Sequence, residues 1–280
     1  MTFPDWLSDW RVWVSAAIGL CITAGPLLAI KEIRWMRRTG KWSRQRAREM
    51  WLSLSPLPLN LAVTTALAGV WASVYAQAHE HALSSLPIGF ATIVAAFLAV
   101  DFSYYWEHRC AHRLRWLWGL YHAIHHSSHE YTIATAYRVS FVNQALAPAF
   151  YLPWILLGLH PALIVALQLL AFHYQAWLHT EMIGPLGRLD AWFNTPAAHR
   201  LHHSAAIEHR DRNLGAITLL WDRLFGTYAE CASSLRYGIP GVDSPTSTWA
   251  MFAEPWSLWL CQPSRRDAAV RPRQRKTVRM

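Results

Sequence analysis

Charge is scarce in this chain. Asp, Glu, Lys and Arg make up 15% of its 280 residues and hydrophobic residues 53%, whereas an average soluble domain is about 25% charged. That imbalance points away from a soluble domain and toward lipid. Cysteine is equally sparse: Cys21, Cys110, Cys231 and Cys261 form no CxxC pair. The spacing excludes a thiolate metal site of the usual kind and predicts reduced thiols with no disulfide framework. No glycine-rich dinucleotide fingerprint and no iron-sulfur cysteine pattern occurs, so any redox chemistry draws its electrons from a separate donor. The first apolar stretch has no cationic region before it and no small-residue cleavage pattern after it, and is expected to persist as a membrane helix.

The missing charge is missing in runs. Residues 12–30 and 139–178 contain no Asp, Glu, Lys or Arg, and 51–100 contain only Glu80. Each run suffices for one crossing of a hydrocarbon core about 30 Å thick, or two where a break is supplied. His79 to Pro87 and Gly158 with Pro161 supply the breaks, which predicts five apolar helices over 12–30, 53–78, 88–106, 140–158 and 161–178.

The formal net charge of +9 comes largely from two places: the loop holding Lys31, Arg34, Arg37, Arg38, Lys41, Arg44, Arg46 and Arg48, and the tail from Arg265 to Arg279. Such juxtamembrane cations suit anionic lipid headgroups rather than nucleic acid. With Asp5 and Asp9 before the first span, the loop is assigned to the cytoplasm. Counting crossings then brings the ends of the third and fifth helices to the cytoplasmic side. The tail after Pro263 is expected to be disordered.

What the chain has in quantity is histidine. Most of its fifteen histidines fall in spaced clusters: His108-xxx-His112, His122-xx-His125-His126, the single His179, and His199-xx-His202-His203. Helical residues three and four apart share a face, so each cluster is expected to point its imidazoles in one direction. One HxxxH says little; the repeat of HxxHH says much more. Nine imidazoles exceed the three or four protein ligands that zinc takes, so two metals fit better than one. Imidazole suits zinc, copper, iron and nickel, and beside lipid the chemistry expected is iron with dioxygen acting on C–H bonds. A rival reading, a non-catalytic membrane protein holding haem or metal for electron transfer, would need axial histidines on facing helices within the membrane.

Thr195-Pro196 reads as a helix N-cap with proline at the first helical position, which would put His199, His202 and His203 on a rigid opening turn. Asp101, seven residues before His108, is a candidate for orienting an imidazole N–H, with a hydrogen bond to a neighbouring helix as the alternative. Gln175, four residues before His179, could meet a metal-bound water or a substrate, and Glu107, Glu181 and Asp211 are further candidates around the ligands. His79, His81 and His160 fall on the far side, and His129, His173 and His209 are left outside the ligand set.

Six strings carry a resemblance: DFSYYWEHRCAH from Asp101, LWGLYHAIHHSS from Leu117, TAYR from Thr135, LHTE from Leu178, NTPAAHRLHH from Asn194 and WDRLFGTY from Trp221. They resemble the fatty acid hydroxylase superfamily, which also contains sterol desaturases and alkylglycerol monooxygenases. The resemblance implies a membrane-embedded di-iron enzyme that uses O₂ and externally supplied electrons to hydroxylate, desaturate or cleave a lipid. It implies as ligands His108, His112, His122, His125, His126, His179, His199, His202 and His203. Three departures stand out. Ala197 and Ala198 precede His199 where many relatives carry a further histidine, Gln175 stands where fatty acid 2-hydroxylases place one, and Tyr131-Thr132 replaces a common Met-Asn. The expected architecture is all-α: a polytopic membrane bundle of about four to five helices with a cytoplasmic, helical, histidine-rich cap. Its parts are 1–100 (membrane helices and basic loop), 101–230 (di-iron domain) and 231–280 (C-terminal cytoplasmic segment).

Overall fold

The computed structural model describes residues 25–232 and 235–261; residues 12–24 of the first expected span, with Cys21, and the basic tail lie outside them. The described chain is helical, with no strand and a single isolated bridge between Phe193 and Thr218. Helix α1 covers 25–38, α2 Arg44–Leu54, α3 Leu57–Glu80, α4 Phe90–Arg113, α5 Pro161–Ala176, α6 Pro196–His202 and α7 Thr248–Cys261; short helical turns fill the spaces between them.

Helices α3 and α4 hold 24 residues each, about 36 Å at 1.5 Å per residue. Among the described residues, the segment Arg44–Glu80 contains the one helix long and apolar enough to cross a membrane, and Pro161–Ala176 is apolar but shorter. The expected helix over 88–106 runs on to Arg113, so His108 and His112 ride on its last two turns rather than on a following loop.

The apolar run over 140–158 differs from the single helix its composition predicts. It breaks into an α-turn Phe141–Leu146, a 3₁₀ stretch Ala147–Tyr151 and a second α-turn Leu152–Leu156. Pro148 and Pro153 are the cause, because each removes a helical N–H and crowds the preceding turn. Gly158 then closes the segment at φ 107°, where a Cβ would lie 2.4 Å from the Ser84 carbonyl oxygen, so only glycine fits.

That close approach joins two connections at one end of the bundle. Leu83 N–H donates to the Leu156 carbonyl at 2.8 Å and Leu86 N–H to Gly158 at 3.1 Å. Helices α4 and α5 therefore both start at this end, α5 with the imidazole Nδ1 of His160 accepting from Ala162 N at 3.2 Å as its N-cap. Both then run toward the histidines. The core between them includes Ala96, Ala99 and Val100 of α4, Ile164 and Ala171 of α5, and Ile155 from the broken segment.

At the histidine end, α1 and α2 form a hairpin turned at Gly40, whose φ is 70°. Its acids face inward. Glu32 accepts from Ile133 N at 2.8 Å and from the Thr180 hydroxyl. Glu49 accepts from Arg138 Nη1 at 2.8 Å, from Ser128 Oγ at 3.1 Å and from the Ser244 hydroxyl. Two of the loop's cations are also committed to protein: Arg46 pairs with Glu130 at 2.7 Å and Glu181 at 3.2 Å, and Lys41 reaches Glu181 at 3.5 Å. The basic loop therefore serves partly to clamp the cap. Helix α7 covers the 118–126 turns, with Trp256 Nε1 donating to the Leu120 carbonyl at 3.1 Å.

The Arg138–Glu49 pair is closed to solvent, with side-chain exposures of 0% and 3%. Removing one partner of such a pair strands a buried charge at a cost of about 3–5 kcal/mol, while an apolar pair of similar volume is tolerated far better. Arg138→Met is accordingly expected to lower the thermal midpoint of the detergent-purified protein sharply, and the double variant Arg138→Met/Glu49→Leu to recover most of the loss. A double variant no more stable than the single one would contradict this.

Candidate metal centre

The nine imidazoles converge, in two adjoining groups. His108, His112, His122, His126 and His202 form one; His125, His179, His199 and His203 form the other, and within each group the candidate donor nitrogens all lie within 4.8 Å of one another. Every one of the nine except His125 is buried. The groups share a wall, where the rings of His126 and His203 stack at 4.4 Å and 21°.

The expectation that each sequence cluster points one way is corrected by this partition. His122 and His126 join one group while His125, between them, joins the other; His199 and His203 join the second while His202 crosses to the first. Helical geometry accounts for it, since residues four apart are only about 40° apart around the axis whereas adjacent residues are about 100° apart. Each HxxHH box thus straddles two centres. A five-residue π-turn, Trp118–His122, delivers His122 into this register, as such turns commonly do at functional sites.

Helix α6 forms as its sequence suggests. Thr195 is the N-cap, its hydroxyl accepting from Ala198 N at 3.3 Å, and Pro196 occupies the first turn. Thr195 is itself fixed by a hydrogen bond from its hydroxyl to Asp190.

Three histidines are oriented by backbone carbonyls. Nδ1 of His108 donates to Leu214 at 2.8 Å, Nδ1 of His202 to Arg212 at 2.9 Å and Nδ1 of His179 to Gln175 at 2.9 Å. Committing the proton to Nδ1 leaves the Nε2 lone pair directed into the cluster. Yet those Nε2 atoms meet other imidazole nitrogens: His108 and His126 each face His122 Nε2, at 3.0 and 3.1 Å, and His125 and His199 each face His179 Nε2, at 3.1 and 3.0 Å. His202 Nε2 and His203 Nε2 are buried with no hydrogen-bond partner.

A metal ion placed among such lone pairs would be held by several of them at once. With a metal–imidazole distance of about 2.1 Å, a right-angled pair of ligands has an edge of about 3.0 Å and a tetrahedral pair about 3.4 Å. The observed separations of 3.0 to 3.1 Å lie in the range expected for two ligands of one metal ion.

Burial and neighbouring imidazoles push the histidines toward the neutral, ligating form. Desolvation carries His202 down to about 4 and His179 to about 3, and holds His108, His122, His125, His126, His199 and His203 well below the usual imidazole value.

The proposed supporting residues fare differently. Asp211 faces Nδ1 of His112 at 3.3 Å and pairs with Arg113 at 3.1 Å. Gln175 acts on His179 through its backbone carbonyl, while its side-chain amide donates to Ala171 at 3.3 Å. Asp101 reaches no imidazole: it accepts from Ile217 N at 2.9 Å, Thr218 N at 3.3 Å, the Thr218 hydroxyl and Trp221 Nε1 at 3.1 Å. Its four donors make it a clamp for the 217–221 loop. Glu107 accepts from the Tyr121 hydroxyl at 2.7 Å, and Glu181 pairs with Arg46 and Lys41.

Sequence reasoning missed the segment that aims His108 and His202. Asp211 and Asn213 adopt φ of 58° and 52°, the left-handed region that Asp and Asn tolerate better than most residues. Asp222 holds the next two residues, accepting from Leu214 N and Gly215 N at 2.8 Å each and from Thr227 Oγ1 at 2.7 Å. A Cβ on Gly215 would lie 2.0 Å from the Thr218 carbonyl oxygen. The WDRLFGTY string thus shapes the backbone that points two ligands. The cue was there in an acid beside an aromatic, but its target is main chain. Tyr131, fully buried, stacks on His179 at 5.6 Å and donates to the Leu178 carbonyl at 3.1 Å.

Residues 93–227 match the family model described as fatty acid hydroxylase. An alkylglycerol monooxygenase of Danio rerio is 39% identical over 156 residues, 56% of this chain and 34% of the relative. The Homo sapiens alkylglycerol monooxygenase is 36% identical over 172 residues, 60% of this chain and 38% of the relative. An ornithine lipid hydroxylase of Rhizobium tropici is 28% identical over 233 residues, 81% of this chain and 69% of the relative. The chain therefore spans little more than a third of the length of these two monooxygenases. No solved structure matches it significantly. The domain match, the named relatives and the twin histidine groups point the same way: residues 93–227 are similar to the fatty acid hydroxylase family.

Proposed function

We propose that this chain is a membrane-bound, O₂-dependent lipid hydroxylase whose nine histidines hold two iron ions. The observation that carries the proposal is the pair of buried imidazole groups with Nε2 edges of 3.0 to 3.1 Å. His108, His112, His122, His126 and His202 would hold one iron, and His125, His179, His199 and His203 the other. Iron bound there would supply the activation of O₂ that oxidises an alkyl C–H bond.

The chain's own residues hold the donors and keep water out. The carbonyls of Leu214, Arg212 and Gln175 fix three rings, Asp211 faces a fourth, and Tyr131 seals the second group. Nitrogen ligands without thiolate favour a metal of intermediate softness. The oxygenase names of the relatives favour iron over zinc.

A lipid substrate is supported by the names of the relatives: alkylglycerol monooxygenase, ornithine lipid hydroxylase and cholesterol 25-hydroxylase. The same names favour hydroxylation over desaturation. Incorporating one oxygen atom of O₂ while reducing the other to water consumes two electrons, and a separate electron-transfer protein is proposed to supply them.

The membrane setting is supported by α3, a largely apolar helix almost none of whose side chains are buried. With α4, the 141–156 segment and α5 beside it, and residues 12–30 before it, we propose a multi-pass bundle. The positive-inside rule puts the histidine cap on the cytoplasmic side.

Metal analysis of the purified protein is expected to find about two irons per chain and no Soret band. His202→Ala and His125→Ala, one from each group, are each expected to lose about half of the iron and all turnover, read as plus-oxygen mass shifts in lipid extracts of expressing cells. Zinc in place of iron, stoichiometric haem, or full activity in either variant would overturn the assignment.

The pH dependence follows from burial. His202 and His179 titrate at about 4 and about 3 in the metal-free fold, but near 6.5 once unfolded. Between about pH 6.5 and about pH 4 the unfolded chain therefore binds more protons, and stability is lost as pH falls. The thermal midpoint of metal-stripped protein is expected to decline steadily across that window; a flat profile would contradict neutral, buried histidines.

A further inference from the structure

The cap carries an apolar surface that belongs to none of the membrane helices. Two loops build it: the 3₁₀ turn Gly187–Ala191 with the residues around it, and the short helix Leu220–Leu224. Leu186, Leu189, Trp192, Phe193, Leu220 and Leu224 are all exposed there, Trp192 at 57% and Leu224 at 66%. The loops are one rigid unit. Phe193 bridges Thr218, Leu219 N donates to the Trp192 carbonyl at 2.8 Å, and Arg223 Nε donates to the Ala191 carbonyl at 2.6 Å. Large apolar side chains held outward on a hydrogen-bonded platform mark a contact surface rather than a loose loop.

Two tethers fix the depth of this platform along the bundle. Asp101 of α4 holds residues 217, 218 and 221, and seven helical residues separate it from His108, about 10 Å. Tyr174 of α5, five residues before His179, donates through its hydroxyl to the Asn194 carbonyl at 2.9 Å. Both helices thus place the platform back along the bundle from the metal ligands, beside their apolar portions. Leu98 on α4 and Leu170 and Phe172 on α5 are exposed on the same two helices.

The charged groups agree with a lipid contact. Arg188 and Arg223 are exposed at the platform, and the Arg223 guanidinium lies 4.7 Å over the Trp192 ring and 4.0 Å over Tyr228. Cations laid along aromatic rings beside exposed leucines are the pattern of a headgroup-level anchor, in which apolar atoms enter the acyl layer and the charge stays at its surface.

Resting on the membrane-bundle reading above, we propose that these two loops form a lip embedded in the leaflet that faces the metal cluster. Its partner is the acyl and headgroup region of phospholipid, and it would bring the membrane surface up to the side of the cap.

A photo-crosslinking amino acid placed singly at Trp192 or Leu224, in full-length protein reconstituted into phosphatidylcholine/phosphatidylglycerol vesicles, tests this. Leu61, 70% exposed on α3, is the lipid-facing reference, and Ile207, 65% exposed on the turn beyond α6, is the water-facing one. Phospholipid adducts at 192 and 224 approaching the yield at 61, with little at 207, are expected. Adducts at 61 but none at 192 and 224, or crosslinks there to protein instead of lipid, would overturn the lip alone. No adduct even at 61 would overturn the membrane bundle and the lip with it.

Discussion

Imidazole lone pairs buried against one another are the constraint around which this protein is built. Burial holds these rings neutral, with their nitrogens turned toward one another at about 3 Å. Metal ions bound between them, as proposed above, would satisfy those lone pairs. The rest of the cap can be understood as the means of holding the rings still.

Those means are mostly main chain. The carbonyls of Arg212 and Leu214 fix one ring each from the first group, in a segment where Asp211 and Asn213 are left-handed and Asp222 holds the amides of Leu214 and Gly215. The carbonyl of Gln175, at the end of an apolar helix, fixes His179. Glu32 and Glu49 then bind the basic hairpin down over the second group through Thr180, Ile133 and Arg138. Helical bundle, loop clamp and basic hairpin all close on the same volume, which is why their sequences lie so far apart.

Histidine identity was legible from spacing, because residues four apart on a helix share a face whatever the rest of the fold does. The partition between the two groups was not. It depends on the 100° step between adjacent residues, which sends His125 away from His126 and His202 away from His203. The Thr195-Pro196 helix start was readable because capping is local chemistry. Asp101 was misread as a partner of imidazole because sequence shows an acid in an apolar helix but not the amide groups, more than a hundred residues on, that fold back to meet it. The broken helix over 141–156 was foreshadowed by Pro148 and Pro153, but mean apolarity concealed it.

X-ray absorption at the iron edge of the purified, iron-loaded protein tests the central claim most directly. Four to five imidazoles per iron are expected to give a first shell of nitrogen at about 2.1 Å with the outer-shell scattering of histidine rings. A shell dominated by carboxylate oxygen, sulfur or porphyrin nitrogen would contradict it.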